Sequence, residues 1–321
     1  MGGCAVPAVT VSDVRFQAVA DPIVLDDDIV AAGDNMVALD RLPDGAFDLI
    51  YMDPPFNTGR AQTRRSLSVV ADSAGDRVGF GGRRYRSELL RSLSYDDAFG
   101  DYLAFLEPRL GRARELLAEH GTLYFHIDYR EAHYCKLLLD EIFGRECFLN
   151  EIIWAYDYGA RSTRRWPSKH DTILVYVKDS AAYHFDARAV DREPYLAPGL
   201  VGAEKAARGK LPTDVWWHTI VPTNGGEKTG YPTQKPEGIV RRMVLASTRP
   251  GDWCLDFFAG SGTLGAVASK LHRRYVLIDS NPEAVATMRA RLAPDKPVGA
   301  CPMQGPRRQM HGRSSAPRAP R

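Results

Sequence analysis

The sequence predicts an α/β protein built on a mostly parallel sheet. Short apolar runs of strand length alternate with stretches of helical period along most of the chain. Two of those runs lead into turns of unusual chemistry, Asp53-Pro54-Pro55-Phe56 early in the chain and Asp256-Phe257-Phe258-Ala259-Gly260-Ser261-Gly262-Thr263 late in it. After the second turn only one further strand-like run follows, and two strands cannot make a stable sheet. The first half of the chain must supply the rest. One sheet then carries Asp53 and Gly260 at the carboxyl ends of its strands, the edge where open α/β sheets bind ligands.

The elements follow in order. Residues 1–20 show no clear pattern and read as a loose leader. Ile23-Val24-Leu25 and Ile29-Val30 are strand-like and lead to the turn Ala32-Gly33-Asp34-Asn35. Met36, Leu39 and Leu42 share one side of a short helix that breaks at Pro43. Phe47–Met52 is a compact apolar strand running directly into Asp53, and the two prolines end its ladder because they donate no hydrogen bond. Residues 57–95 are polar and rich in glycine and arginine, and read as a mobile basic insert. Next comes a helix with Tyr102, Phe105, Leu106, Leu110, Ala113, Leu116 and Leu117 on its apolar positions. Pro108 should kink or divide it, and Gly121 should close it.

Residues 122–127 form a strand, Leu137, Leu138, Ile142 and Phe143 mark a helix, and residues 172–177 form another strand. Regularity fades from about 180 to 230. Pro236 then opens a helix facing inward with Ile239, Val240, Met243 and Val244. Residues 253–258 are a strand, 263–272 a helix and 275–278 a strand reaching Asp279, with Ser280 and Glu283 as a capping box for the last helix. The Pro/Arg/Gly-rich tail, 297–321, reads as disordered.

Composition excludes several classes. The chain is 44% hydrophobic and 26% charged, and no apolar run approaches the ~18–20 residues of a membrane span. The first residues lack a secretory layout, and the five cysteines form no CxxC or metal spacing. A cytoplasmic protein with reduced thiols and no metal is expected, with Cys135, Cys147 and Cys254 as buried small hydrophobes. Net charge is only +2, but arginines crowd two segments. Arg64, Arg65, Arg83 and Arg84 fall in the first, and Arg161, Arg164, Arg165 and Lys169 in the second. Each cluster alone suits a solvated loop. Beside a nucleobase-type site they suit phosphate contacts.

The glycine loop satisfies GxGxxG, with Asp279 at the ~20-residue spacing of a dinucleotide fingerprint. A dehydrogenase using NAD is therefore one reading. Asp256 tilts the choice, because a carboxylate before the glycines suits a cationic amino group such as that of S-adenosylmethionine and repels a pyrophosphate. Asp279 accepts from ribose hydroxyls under either reading. In Tyr231-Pro232-Thr233-Gln234-Lys235-Pro236, Thr233 and Lys235 near a helix N-terminus suit a carboxylate, which completes a zwitterion site.

At Asp53-Pro54-Pro55-Phe56 the chemistry is that of an exocyclic amino group. The lone pair of adenine N6 or cytosine N4 is delocalised into the ring and is a poor nucleophile. Asp53 and the Pro54 carbonyl can accept its two N–H bonds and aim the lone pair at a methyl donor, while Pro55 helps fix the backbone beforehand. Phe56 offers a flat face to an extruded base. Direct transfer needs no covalent intermediate, and no Pro-Cys nucleophile is present; Cys301-Pro302 lies in the tail.

These motifs, with Gly33-Asp34-Asn35, Glu131-Ala132-His133-Tyr134, Glu151-Ile152-Ile153-Trp154 and Lys169-His170-Asp171, resemble the amino-methyltransferases of the DNA methylase N-4/N-6 family in their β order. The resemblance covers about residues 23–292. It implies a Rossmann-like S-adenosylmethionine-dependent methyltransferase fold, circularly permuted, with an inserted target-recognition region near 150–230 and a catalytic domain over 21–296. It implies that Asp53, Pro54 and Phe56 hold the base. By the same resemblance Asp256, Phe258, Gly260, Gly262, Thr263, Lys235 and Asp279 hold the cofactor, with Asp34 near its adenine; Ser261 and Thr233 are expected to bind it as well. An Asp-first motif favours adenine N6, with cytosine N4 as the alternative. The implied partner is double-stranded DNA, with a cognate restriction endonuclease and a dimer left open. The chain is shorter than the type III modification subunits it resembles most, which favours a solitary enzyme. A non-catalytic DNA-binding module would leave both motifs unused. RNA and protein-glutamine methyltransferases place the glycine loop first, and this order argues against them.

Overall fold

The sheet packs a different set of helices on each face, because successive residues of a strand face opposite sides of it. The computed structural model describes residues 14–57, 62–71, 77–78, 84–95, 101–159, 161–222 and 224–292. In chain order its elements begin with β1 (Val14–Ala18), β2 (Asp28–Ala32), α1 (Asn35–Leu39) and β3 (Phe47–Met52). Then come β4 (Gln62–Ala71), β5 (Arg77–Val78), β6 (Arg84–Tyr95), α2 (Tyr102–Leu116), β7 (Leu117–Asp128) and α3 (Ala132–Phe143). The series continues with β8 (Phe148–Ala155), β9 (His170–Val177), α4 (Ala203–Arg208) and β10 (Val215–Trp217). It closes with α5 (Glu237–Ser247), β11 (Trp253–Asp256), α6 (Thr263–Lys270), β12 (Arg274–Asp279) and α7 (Pro282–Leu292).

Nine strands form one sheet in the order β1-β2-β12-β11-β3-β7-β9-β8-β10. Neighbours are parallel except β9, which is antiparallel to both β7 and β8. The last two strands in the chain thus lie inside the sheet, flanked by N-terminal strands as the two-strand argument requires. On one face Ile29, Ile50, Met52, Phe125, Leu255 and Ile278 pack with Leu39, Leu106, Leu110, Cys135 and Leu139 of α1, α2 and α3. On the other, Val30, Leu49, Tyr51, Cys254, Tyr275 and Leu277 pack with Val240, Val244, Leu264, Val267 and Met288 of α5, α6 and α7. Each such side chain stabilises the fold by about 1.5–3 kcal/mol relative to exposure. Cys135, Cys147 and Cys254 are buried free thiols, and burial raises the Cys135 pKa to about 12.

Several expectations are corrected. Residues 23–25 are not a strand. The edge strand is β1, inside the segment read as a loose leader, where half-burial and the alternation of Val14-Arg15-Phe16-Gln17-Ala18 weaken the apolar signal. Pro108 leaves α2 undivided, since its buried face of Leu106, Leu110, Ala113 and Leu116 runs through the proline. Gly121 does not end that helix. It sits within β7, where a Cβ would meet the Phe47 carbonyl at 2.8 Å. In α3 the buried face is Ala132, Cys135, Leu139 and Phe143, and Leu137 is 70% exposed. Helix α7 is capped by Asn281 rather than Ser280: its Oδ1 accepts from Glu283 N at 2.9 Å, and Pro282 takes the first helical position.

The segment 150–230 is not wholly an insertion, because β8, β9 and β10 belong to the main sheet. Nor is 57–95 only a loop, since β4, β6 and β5 form a separate antiparallel sheet. Residues 297–321, the first part of the leader and Arg83 lie outside the described residues. Among those described, no helix is long and apolar enough to cross a membrane, and no cluster of potential metal ligands occurs.

Candidate active site

Four adjacent parallel strands, β2, β12, β11 and β3, deliver a carboxylate at the same edge of the sheet. Asp279 and Asp256 are the last residues of β12 and β11, Asp53 follows β3, and Asp34 stands two residues beyond β2. All four line one cavity of about 370 Å³. Pro54, Pro55, Phe56, Thr233, Lys235, Phe258, Gly260, Ser261 and Thr263 line it too. Gly262 is placed differently, as the N-cap of α6, with φ at +71° and Met288 Cγ 2.8 Å from where a Cβ would stand. Gly265, the third glycine of the pattern, lets α6 lie on Leu277 and Tyr275 of β12.

The Asp53 end is held from several sides. Tyr102 donates to the Pro55 carbonyl at 2.6 Å. Asn57 turns the chain with φ at +52°, a conformation asparagine tolerates, and its amide reaches Glu131 at 3.1 Å. The Phe56 ring lies 5.9 Å from the ring of the buried His126. Sequence reasoning gave Lys235 to the cofactor. The structure sets its ammonium on Asp53, 2.7 Å from Oδ1 and 2.6 Å from Oδ2, and over the Phe56 ring at 4.7 Å from the centroid.

At the glycine loop, Asp279 accepts from Gly260 N and Asn281 N, both at 2.8 Å, and Asp256 accepts from Phe258 N at 3.0 Å. Burial drives the Asp256 pKa well above the usual carboxylate range; Asp53 and Asp279 add to this, while the Phe258 N–H and Lys235 oppose it. Burial also raises Asp279 against its two backbone bonds. Buried carboxylates this close favour a cation among them. S-adenosylmethionine brings an ammonium and a sulfonium, so the donor set fits that group, whereas a pyrophosphate would face like charge.

Ser261 and Thr263 are partly committed to structure, since Arg291 donates to Thr263 Oγ1 at 3.1 Å and Ser261 Oγ at 3.3 Å. Asp34 also caps α1, accepting from Met36 N at 2.9 Å. Sequence reasoning missed Asn35, Tyr51, Phe105, Arg109 and Tyr231 among the lining residues. Asn35 links the layers, donating to the Phe257 carbonyl and accepting from Arg109 Nε, both at 3.0 Å. Its place beside Asp34 was the available signal. Arg109 lies 3.8 Å over Phe105, and burial lowers its pKa against the pull of Asp34. Gln234, passed over within its motif, staples the loop by accepting from Thr229 N at 2.8 Å and donating to the Glu227 carbonyl at 2.6 Å.

Of the expected DNA-contacting residues, Arg161, Arg164 and Arg165 are exposed and Lys169 is half-buried, in the loop joining β8 to β9. Since β8 runs parallel to β7 and β3 through antiparallel β9, that loop emerges at the same sheet edge as Asp53. Arg64 and Arg65 lie on β4 and Arg84 on β6.

Fold and site together define an α/β protein with an acidic cavity, suited to a small cationic group, at the carboxyl edge of its sheet. The chain belongs to the DNA methylase family, whose profile matches residues 47–290. It is 30% identical over 257 residues to the type II methyltransferase M.HpaI of Haemophilus parainfluenzae, covering 79% of this chain and 71% of that one. It is 28% identical over 266 residues to the DNA adenine methyltransferase YhdJ of Escherichia coli (strain K12), covering 79% and 78%. Among solved structures, the cytosine-N4-specific PvuII DNA methyltransferase superposes with a TM-score of 0.58 at 16% identity, over 83% of this chain and 86% of that one. The fold is the Rossmann-like one of methyltransferases.

Proposed function

We propose that the protein methylates adenine N6 in double-stranded DNA, at specific sites and on a base turned out of the helix. The observation that carries this reading is the placement of Asp53 and Asp256 in one cavity, where one could receive an acceptor and the other a cationic donor. When bound, S-adenosylmethionine supplies an electrophilic methyl group on its sulfonium. Asp256 would pair with its ammonium, Asp279 would accept from its ribose, and Phe258 and Asp34 would flank its adenine. Asp53 and the Pro54 carbonyl would accept the two N–H bonds of the base, directing the nitrogen lone pair at the methyl group. Phe56 would carry the base by stacking.

The Asp-first motif and the adenine-specific relative from Escherichia coli support adenine over cytosine. The exposed arginines of the β8–β9 loop, at the edge that bears Asp53, support phosphate contacts there. A cognate endonuclease and a dimer are compatible with this reading and add nothing to the chemistry. The test is to incubate the purified protein with labelled S-adenosylmethionine and mixed bacterial DNA, then digest to nucleosides. N6-methyladenine is expected. N4-methylcytosine as the labelled product would keep the mechanism and overturn the base.

A further inference from the structure

We propose that Lys235 passes between Asp53 and the carboxylate of the cofactor, so that seating the cofactor clears the place of the base. This rests on the function proposed above. Three contacts of one ammonium carry it. Nζ bonds both oxygens of Asp53, at 2.7 and 2.6 Å, and lies over the Phe56 ring at 4.7 Å. The amino group of a base needs those oxygens, and its ring needs that aromatic face. The ammonium therefore competes with the base at both of its contacts.

The pair is well shielded, with side chains 11% and 15% exposed, so neither charge can be abandoned without a replacement. The reaction offers both replacements. One N–H bond of the base satisfies Asp53, and the carboxylate of the cofactor receives the lysine. Lysine suits the task because its compact charge rides on a flexible four-carbon stem. Its backbone is fixed meanwhile. The Lys235 carbonyl accepts from Thr263 Oγ1 of the glycine loop at 3.2 Å, and α5 starts two residues on. Only the side chain has to move, and the ammonium stays in the cavity, near enough to Asp256 and Asp171 to favour their charged forms. The sequence reading and the structure thus describe two positions of one residue. Cofactor binds first and base second.

The test uses binding alone, by calorimetry, on the full chain. The probes are S-adenosylhomocysteine, which carries the carboxylate, and 5′-methylthioadenosine, which lacks it. Asp53→Asn frees the lysine and should tighten S-adenosylhomocysteine by about tenfold. In a Lys235→Met background the same substitution should change nothing, and Lys235→Met alone should weaken that ligand. Methylthioadenosine should bind all four proteins alike, which also shows that each variant is folded at the site. An equal effect of Asp53→Asn in both backgrounds would overturn the hand-over and make Lys235 a fixed partner of Asp53. Failure of the wild-type protein to bind either probe would instead remove the cofactor reading, and the hand-over with it.

Discussion

The Tyr51 hydroxyl lies 2.8 Å from Nδ1 of His126, an imidazole with no exposed surface. The other ring nitrogen is 3.2 Å from Asp171, which also accepts from Tyr156 at 3.0 Å. This chain of polar groups crosses β3, β7 and β9 and opens into the cavity at Tyr51. Trp154 meets the imidazole edge-on at 5.6 Å, and Phe56 lies against it. The ring proposed to carry the base is therefore backed by a buried residue with a polar partner at each ring nitrogen.

His126→Phe should destabilise the protein by about 2–4 kcal/mol, because it leaves the Asp171 carboxylate buried without its nitrogen partner. Burial pushes Asp171 upward, but His126, Lys235 and Tyr156 prevail and hold it below the usual carboxylate range. A lowered folded-state pKa stabilises at pH above the unfolded value of 3.8, and the gain is lost as pH falls through the lowered value. Without His126 the folded-state pKa of Asp171 rises, so less stability should be lost on acidification than in the wild type. Urea denaturation across the acid-to-neutral range checks this, and superimposable stability profiles would refute it.

Much of this architecture was legible because parallel strands buried on both faces read as continuous apolar runs, as residues 49–52 do within β3. The aspartates were legible because each interrupts such a run at its end. Elements that are only half buried were not. In β1 every residue is partly or fully exposed, and β8 mixes Asn150 and Glu151 with its apolar positions. The pairing of Lys235 with Asp53 joins residues distant in the chain, and no local pattern announces it. Gly121 illustrates a different limit: a glycine at a close backbone approach looks, in sequence, like one that ends a helix.

Asp53→Asn should lower the rate of methyl transfer by at least about 10²–10³-fold, the scale of losing an oriented acceptor for a developing charge. Cofactor affinity should not weaken, because no cofactor contact is assigned to that carboxylate. Single-turnover transfer with labelled cofactor, beside equilibrium binding, separates the two. Near wild-type transfer would eliminate Asp53 as the group that orients the amine.

Asp256→Asn should do the opposite of most buried substitutions and raise the Tm at neutral pH, by about 2–4 °C. Burial raises the folded-state pKa of Asp256, so the protonated form is favoured by folding, and stability declines as pH rises from 3.8 through the raised value. The asparagine carries no such penalty, and its advantage should vanish in acid. The same linkage governs the cofactor, whose ammonium needs the ionised carboxylate. Wild-type affinity should fall as pH drops through the raised value, and the variant should bind weakly at every pH. A variant less stable than wild type at neutral pH would show that the carboxylate is not under desolvation strain.

The β8–β9 loop carries two kinds of side chain that would separate two kinds of contact in the proposed binding of DNA. Arg161, Arg164 and Arg165 are exposed, and Ser162 Oγ shapes their turn by accepting from Arg164 N at 3.2 Å and Arg165 N at 3.1 Å. Trp166, beside them, is 93% exposed, a poor place for so large an apolar surface unless something covers it. Replacing the three arginines by alanine should weaken duplex binding and flatten the dependence of log K on log salt, by about 0.9 per lost phosphate contact. Trp166→Ala should instead weaken binding equally at all salt concentrations, since a stacked ring releases no counterion. Titrations of a fluorescent duplex at several ionic strengths distinguish the two. If the arginine variant keeps the wild-type slope, this loop does not face the phosphates, and the basic contacts must lie elsewhere along the edge.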